Sequence, residues 1–304
     1  AGAVRLARAF TGRDRIAACG YHGWQDWFIG STSRNLGVPK VVRDMTLTFT
    51  YNDVDSLVKL FHDHPGEFAG VIMEPMNAVA PEPGFLEAVK ELCREHGAVF
   101  ILDEVITGFR FAKGGAQELF GVTPDLATFG KGLANGYPLS AVVGRADIMV
   151  LMEDVFFSFT MGGEALSLAA ARATLDKISK EPVIERLNEN GSRVADGLRR
   201  RIADHGVEHI FSVTGRPCWS FLNISDAGPY TQWDIRTYVL QEMFERRVLM
   251  LGTHTMSYAH TDDDVARLLS AYDEILPAVR DAVAAGTLHT KLRCKPLKPL
   301  FRIR

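Results

Sequence analysis

The stretch "VFILDEVITGF", residues 99–109, joins an uninterrupted apolar run to two carboxylates, Asp103 and Glu104. A strand that is apolar at every position is expected where helices cover both faces of a largely parallel sheet. The run therefore predicts a buried extended segment over residues 98–105 that delivers both carboxylates at a strand end. A carboxylate there is costly to bury unless it meets a cation or a hydrogen-bond donor, so one of the two needs a partner. The alternative is a solvated aspartate at the strand end.

Helical and extended patterns alternate on either side of this strand. The helical segments are residues 1–10, 52–64 and 84–97, and the extended ones are residues 15–20, 69–75 and 125–129. This alternation predicts an α/β fold with a largely parallel sheet covered by helices. From about Gly162 the pattern changes to long amphipathic helices. We therefore expect a large domain over residues 1–165, a connecting helix over 166–185 and a smaller C-terminal α+β domain over 186–304.

The composition is that of an ordinary globular protein. The 304 residues carry a formal charge of -3, which gives no reason to expect a nucleic acid or an acidic membrane as partner. No apolar run approaches the roughly 18 residues of a membrane helix. Four scattered cysteines without a CxxC pair argue against a zinc site or a disulfide framework and favour the cytoplasm. The basic tail, residues 291–304, is interpreted as a solvated end.

A single lysine follows the next predicted strand. In "FGKG", residues 129–132, Lys131 stands between two glycines, which let the backbone approach a ligand closely. A lysine in a partly desolvated pocket has a lowered pKa and can form a Schiff base with an aldehyde. An exposed loop lysine is the alternative. The stretch "CGYHGW", residues 19–24, places Tyr21 and His22 after another strand, although such aromatics are usually core.

Together these elements resemble a known family, the class III pyridoxal-phosphate-dependent aminotransferases, and within it the branch of glutamate-1-semialdehyde aminomutase. The matching stretches, in family order, are "RLARAFTGRDRI", "YHGW", "TFTYND", "IMEP", "ILDEVITGFR", "GAQELFGVTPDL", "FGKGLANGYPLSAVVG" and "YAHTDDDV". The resemblance implies fold type I and pyridoxal 5'-phosphate as cofactor, with pyridoxamine phosphate as its alternate form. It also implies a homodimer whose active sites lie at the subunit interface.

The resemblance also implies roles for individual residues. Lys131 matches the lysine that binds the cofactor as a Schiff base and later moves the proton. Asp103 matches the carboxylate that keeps the pyridine nitrogen protonated. Val105 and Tyr21 would cover the two faces of the ring, and His22 belongs to the same cofactor-binding set. Thr160 matches a threonine that binds the phosphate in the neighbouring subunit, although a plain helix N-cap is the alternative.

Further positions rank second, as substrate-side residues. Glu74 corresponds to a strand-end glutamate that pairs with an arginine or faces substrate, with a structural ion pair as the alternative. Asn77 precedes the place of a cofactor-contacting asparagine, where Val79 stands here. Trp24 adds an aromatic to a segment that is shorter than the gating loop of the aminomutase. His254 and His260 are interpreted as polar packing, because neither has a metal-ligating partner at suitable spacing.

The shorter segment after "YHGW" ranks an intermolecular aminotransferase above the aminomutase, since a mutase has to retain its intermediate. The substrates would be a small-molecule amino donor and a carbonyl acceptor. A racemase or decarboxylase on the same scaffold stays open, because Lys131 and Asp103 would serve each of them. A catalytically silent scaffold subunit is the remaining alternative.

The chain opens at Ala1 inside a predicted helix. In the resembling family this helix follows a turn whose N–H groups bind the cofactor phosphate. We therefore expect a fragment of a longer protein that, alone, holds the cofactor poorly.

Overall fold

The computed structural model describes residues 1–299 and divides the chain into two compact units between Glu181 and Pro182. The strands of the first unit are β1 (Arg15–Cys19), β2 (Thr46–Thr48), β3 (Phe68–Met73), β4 (Val99–Asp103), β5 (Leu126–Phe129) and β6 (Ala141–Gly144). Its helices are α1 (Gly2–Thr11), α2 (Asp26–Ile29), α3 (Lys40–Arg43), α4 (Val54–Asp63), α5 (Phe85–His96), α6 (Ala116–Phe120), α7 (Ala146–Met149) and α8 (Ala165–Lys180). Short 3-10 turns cover Lys131–Leu133 and Val150–Glu153.

The strands of the first unit form one six-stranded sheet in the order β2-β1-β3-β4-β5-β6. All neighbours are parallel except β5 and β6, which are antiparallel. The chain passes from β1 to β2 on one side and then to β3 on the other. Ligands of open α/β sheets bind outside the carboxyl ends of the strands at such a reversal of strand order. This topology confirms the predicted α/β fold.

Helices cover both faces of this sheet, which explains its apolar strands. In β1, Ile16 and Ala18 pack in one core with α1 and α7, whereas Ala17 and Cys19 pack in another with α4 and α5. The same alternation holds in β4, where Ile101 belongs to the first core and Phe100 and Leu102 to the second. All positions of β1 except Arg15 and all positions of β4 except Asp103 are buried, so an uninterrupted apolar run is required between the strand ends.

The second unit begins at Pro182 and has its own core. Its elements are α9 (Val183–Asp204), β7 (Phe211–Arg216), β8 (Trp219–Ile224), α10 (Gln232–Glu245), β9 (Thr253–Thr255), α11 (Asp262–Ala284) and α12 (Leu288–Lys291). The three strands form an antiparallel sheet in the order β7-β8-β9. The core lies between this sheet and the helices. The predicted domain ranges stay a prediction. The predicted connecting helix, residues 166–185, includes most of α8 in the first unit and crosses the division between Glu181 and Pro182.

The described part of the basic tail is more ordered than a solvated end. Its side chains are exposed except that of Leu292, which packs against the core of the second unit. The Arg293 backbone N–H donates to Gln241 Oε1 at 2.8 Å, and the Leu297 N–H donates to Thr237 Oγ1 at 2.8 Å. Gln241 and Thr237 stand one turn apart on α10, so the tail runs along that helix. Residues 300–304, which include the last two arginines of the tail, lie outside the described residues. Within residues 1–299, no helix is long and apolar enough to span a membrane.

Candidate active site

Four strands of the first unit deliver the predicted site residues to one edge of the sheet. Tyr21 and His22 follow β1, Glu74 follows β3, Asp103 ends β4 and Lys131 follows β5. These strands are parallel neighbours, so their carboxyl ends lie side by side. Residues that are more than a hundred positions apart in sequence are thereby collected at the reversal of strand order.

Asp103 is held by donors from three different segments. Its Oδ2 lies 2.8 Å from His22 Nδ1, and its Oδ1 accepts from the Val105 N–H at 3.1 Å and from Thr128 Oγ1 at 3.3 Å. Burial by itself raises the pKa of this carboxyl, but the His22 contact and the two further hydrogen bonds outweigh burial and lower the pKa below its ordinary value. Asp103 is therefore an anion at neutral pH.

The imidazole of His22 is buried below this carboxylate. Its side chain is 1% exposed, stacked on the Trp27 ring at 6.2 Å and edge-on to Phe28 at 5.1 Å. Its second nitrogen, Nε2, lies 3.1 Å from the carbonyl oxygen of Cys19. A carbonyl oxygen only accepts, so Nε2 carries a proton and the ring orientation is fixed at both nitrogens.

Glu74 shapes the turn that follows β1. Its buried carboxylate accepts from the Tyr21 N–H at 3.0 Å and from Asn77 Nδ2 at 3.2 Å. Gly20 has φ 103°, and a Cβ there would lie 2.6 Å from Oε2 of Glu74. Only glycine allows this close approach. Burial raises the pKa of Glu74. These contacts are hydrogen bonds within the turn, and no ion pair reaches Glu74 within residues 1–299. The substrate-side role of Glu74 stays a prediction.

Lys131 opens the 3-10 turn after β5 with an exposed side chain and a left-handed φ of 42°. Its amine has no hydrogen bond or ion pair with any residue in 1–299. The preceding Gly130 lies against Val105, whose Cγ1 would be 3.4 Å from a Cβ at Gly130. Gly132 faces the carbonyl oxygen of Gly108 in the same way, at 3.7 Å. The lysine loop is therefore packed on the loop that follows Asp103.

Two predicted residues stand apart from this cluster. Thr160 is exposed and has no hydrogen bond to the part of the chain that the structure describes. It is not a helix N-cap, because α8 is capped by Glu164, whose carboxylate accepts from the backbone N–H groups of Leu166 and Ser167. A helix is capped by the residue directly before it, and α8 begins four residues later than that alternative required. Trp24 is 78% exposed.

Glu104 is the residue whose role the sequence left undecided. It is fully buried and accepts hydrogen bonds from Thr107 Oγ1 and from the backbone N–H groups of Ala116 and Gln117, each of the latter at 2.8 Å. It thus ties the loop after β4 to the start of α6. Two glycines followed by a short helix were the available signal, since free N–H groups at a helix start require an acceptor. Thr128 also escaped notice as a partner of Asp103.

The donor set fits a pyridine cofactor. Each carboxylate oxygen accepts up to two hydrogen bonds. Oδ1 of Asp103 already has two donors, whereas Oδ2 contacts only His22 within residues 1–299. One acceptor position on an anionic oxygen is left for a protonated ring nitrogen, and an unpaired amine stands on the adjoining loop.

Neither unit gathers metal ligands in its described residues. In residues 1–299 no group of three or more His, Cys, Asp or Glu side chains is placed to hold a metal ion. His254 is buried between Ser220 Oγ at 2.9 Å and Tyr272 OH at 2.7 Å, and His260 Nδ1 accepts from the Ser257 N–H. Both histidines are in polar packing, as predicted.

Comparison with known proteins agrees with this geometry. Residues 1–256 match the family model of class-III aminotransferases, so the chain belongs to that family and is an enzyme. It is 35% identical to the 3-aminobutyryl-CoA aminotransferase of Cloacimonas acidaminovorans (strain Evry), over 91% of this chain and 68% of that protein. It is 38% identical to the glutamate-1-semialdehyde 2,1-aminomutase of Alkaliphilus oremlandii (strain OhILAs), over 91% of this chain and 71% of that protein.

A solved structure shows the same fold. The FumI protein of Sphingopyxis sp. MTA144, in its pyridoxal-phosphate internal aldimine form, superposes with a TM-score of 0.84 and 30% identity. The match covers 93% of this chain and 69% of that one. These comparisons confirm the predicted resemblance to the class III aminotransferases.

Proposed function

We propose that the chain is a pyridoxal-phosphate-dependent aminotransferase that moves an amino group from a small-molecule amino donor to a carbonyl acceptor. Family membership supports this function. The observation that carries it is the placement of two groups. An unpartnered amine, Lys131, lies on a loop that packs against the loop directly after an anionic carboxylate, Asp103. When bound, pyridoxal phosphate withdraws electrons from the substrate carbon.

The residues of this chain supply what the cofactor lacks. The Nζ of Lys131 would hold the cofactor aldehyde covalently and, once released, would carry the proton to and from the substrate carbon. Oδ2 of Asp103, which His22 holds in place, would accept the hydrogen bond of the protonated ring nitrogen. Val105 and Tyr21 would cover the ring on its two sides.

The test fixes the cofactor onto the residue that binds it. The full chain is loaded with pyridoxal phosphate, reduced with borohydride and digested, and the labelled peptide is identified by mass spectrometry. We expect the label on Lys131 and none in a Lys131→Ala variant, while Lys113→Ala, another lysine on a nearby loop, keeps it. Label on a different lysine would refute the assignment. A chain without any label would favour the silent scaffold.

The aminomutase is the second candidate, because the chain is 38% identical to a named aminomutase. The segment after Tyr21 favours transfer between molecules. Trp27 packs on the buried His22 ring, and residues 26–29 form α2. This segment is anchored, whereas a mutase needs a gate that retains its intermediate. Glutamate-1-semialdehyde supplied without any external amino donor decides the point: conversion to 5-aminolevulinate would favour the mutase. A racemase would convert the amino donor into its opposite enantiomer, and a decarboxylase would convert the donor into the corresponding amine. Either product, found by chiral chromatography or mass spectrometry, would identify that activity.

A homodimer is the proposed assembly. The first unit exposes an apolar surface on residues 156–175, made of Phe156, Phe157, Phe159, Met161, Leu166, Leu168 and Leu175. Phe156 is 83% exposed and Leu166 58% exposed. Exposed apolar side chains that are concentrated in one segment are typical of interaction sites. Thr160 lies in the same segment, which supports a second copy as the occupant and the partner's cofactor phosphate as the ligand of Thr160.

Mixed dimers test this arrangement. Lys131→Ala and Thr160→Ala chains, each impaired alone, are mixed and allowed to exchange subunits. If Thr160 serves the partner's site, one site in each mixed dimer has both an intact lysine and an intact threonine, and activity returns. If Thr160 serves its own chain, no site is intact and no activity returns, which would contradict the proposal.

A cytoplasmic location is proposed as well. All four cysteines are free, and Cys19, Cys93 and Cys218 are buried as thiols. Unpaired thiols are typical of a reducing compartment. The test is to export the chain to an oxidising compartment and measure its activity. Loss of activity there that a reductant reverses would support a cytoplasmic location, and full activity would contradict this argument.

A further inference from the structure

Arg236 of α10 is a half-buried cation held on two sides. Its guanidinium carbon lies 5.8 Å from the centroid of the Trp233 ring, one helical turn earlier. On the other side is Gly252, just before β9, where a Cβ would lie 2.3 Å from Arg236 Nη1. Gly252 has φ 88°, and its carbonyl accepts from the Leu222 N–H at 3.0 Å. The guanidinium is therefore fixed between a ring and a backbone that is tied to β8.

The charge of Arg236 is not balanced within residues 1–299. No hydrogen bond or ion pair reaches its guanidinium there, and its Nε is buried without a partner. Arg246, the residue directly after the same helix, is different, since its guanidinium meets Glu242 and Glu274, each at 2.9 Å. Burial lowers the pKa of Arg236, whereas the two glutamates raise the pKa of Arg246 in spite of burial. A partly desolvated cation without a counter-ion is costly.

We propose that Arg236, with Gly252 and Trp233, forms a carboxylate-binding site in the second unit. Nε of the guanidinium is buried, and neither Nη group has a hydrogen-bond partner within residues 1–299, so N–H donors are left for a ligand. A guanidinium offers a planar pair of N–H donors that matches a carboxylate, and its single positive charge balances one carboxylate charge. The Trp233 ring and the Gly252 backbone hold the guanidinium in place before a ligand binds, which reduces the conformational entropy lost on binding. The inference does not rest on aminotransfer, because binding is measured without turnover.

The experiment uses the full chain and two probes of equal shape, succinate and its neutral diamide, at constant ionic strength. Isothermal titration is carried out on wild type, Arg236→Gln, Arg236→Lys and a control, Arg247→Gln, which removes an exposed arginine of the same unit. We expect succinate to bind wild type and the control alike, and the diamide to bind neither. Affinity should fall about tenfold or more in Arg236→Gln, the loss expected from one charge-assisted pair. Arg236→Lys keeps the charge without the fork and should also weaken binding.

Steady-state kinetics then distinguish the source of the carboxylate. If it belongs to the substrate, Arg236→Gln raises KM for amino donors with a second carboxylate and leaves KM for uncharged amines unchanged. If it belongs to another metabolite, succinate binding is lost with both KM values unchanged. Equal succinate binding in wild type and Arg236→Gln, or absence of binding in wild type, would overturn the site. A failure of aminotransfer with normal succinate binding would affect only the proposed function.

Discussion

His22 Nδ1 lies 2.8 Å from Asp103 Oδ2, although the two residues are 81 positions apart in the chain. The opposite nitrogen of the same ring faces the Cys19 carbonyl oxygen at 3.1 Å. Because the Nε2 proton is committed to that carbonyl, the short contact at Nδ1 requires one further proton between imidazole and carboxylate. The contact therefore fixes Oδ2 of Asp103 at the carboxyl ends of the strands.

Replacing Asp103 by Asn keeps the shape of the side chain and removes its charge. The protonated ring nitrogen would lose its counter-ion, so we expect kcat to fall at least about a hundred- to a thousandfold, as when a preorganised electrostatic group is removed. Steady-state transamination measures this. Asp63→Asn, on an exposed i,i+4 pair with Lys59, is the matched control and should change neither kcat nor stability appreciably. Wild-type turnover in Asp103→Asn would mean that another group faces the ring nitrogen.

Replacing His22 by Gln removes the group that most strongly lowers the pKa of Asp103. Burial then acts on the carboxyl with less compensation, so the pKa of Asp103 rises. A carboxylate with a lowered pKa stays ionised until the pH falls through that value, and a higher pKa brings this loss to higher pH. In the pH profile of activity, the loss of activity on the acid side should therefore occur at a higher pH in His22→Gln than in wild type. His62→Gln, at an exposed position, is the control, and superimposable profiles for the two variants would exclude the coupling.

The sequence predicted the longer helices and the central strands of the first unit because their pattern is local, whereas the short elements β2, β6, α2, α3 and α7 carried no such pattern. Apolar runs at 99–102 and 126–129, and the positions of Asp103 and Lys131 after them, follow from burial on both faces of a sheet. The bond between His22 and Asp103 depends on strand order, which no local pattern contains. Thr160 as an N-cap failed for a related reason, since Glu164 nearer the helix competes for the same N–H groups.

Gly191 marks the tightest contact of the second unit. A Cβ there would lie 1.8 Å from the carbonyl oxygen of Pro217, in the turn between β7 and β8. Backbone has to move to admit even a methyl group, so we expect Gly191→Ala to destabilise this unit by about 1–3 kcal/mol, the usual cost of overpacking. The free energy of unfolding is measured by urea denaturation, with hydrogen exchange of α9 as the probe of this unit. Gly163→Ala meets nothing within 4 Å and is the control. Equal stability of the two variants would contradict the packing.

His254 gives the second unit a pH-dependent stability. Burial lowers the pKa of His254 to about 4, so the folded unit binds fewer protons than the unfolded chain between about pH 6.5 and pH 4. The contribution of His254 to the free energy of unfolding is therefore fully present above pH 6.5. It declines as the pH falls through this window, by up to ~3 kcal/mol at ~1.4 kcal/mol per pKa unit. Hydrogen exchange of α11 at pH 7 and pH 5 reports it. His254→Gln should show a smaller difference between these pH values, and an unchanged difference would assign the dependence elsewhere.

Adjacent carboxylates at the end of β4 carry separate tasks. Asp103 contacts His22 among the predicted site residues, whereas Glu104 is buried and fastens α6. In a saturation library scored both for cellular abundance and for growth dependent on turnover, these neighbours should diverge. Substitutions of Glu104 would lower abundance whatever substrate is supplied, while many substitutions of Asp103 would leave abundance normal and abolish growth. One dipeptide thus offers an internal calibration for separating misfolded from inactive alleles in this family.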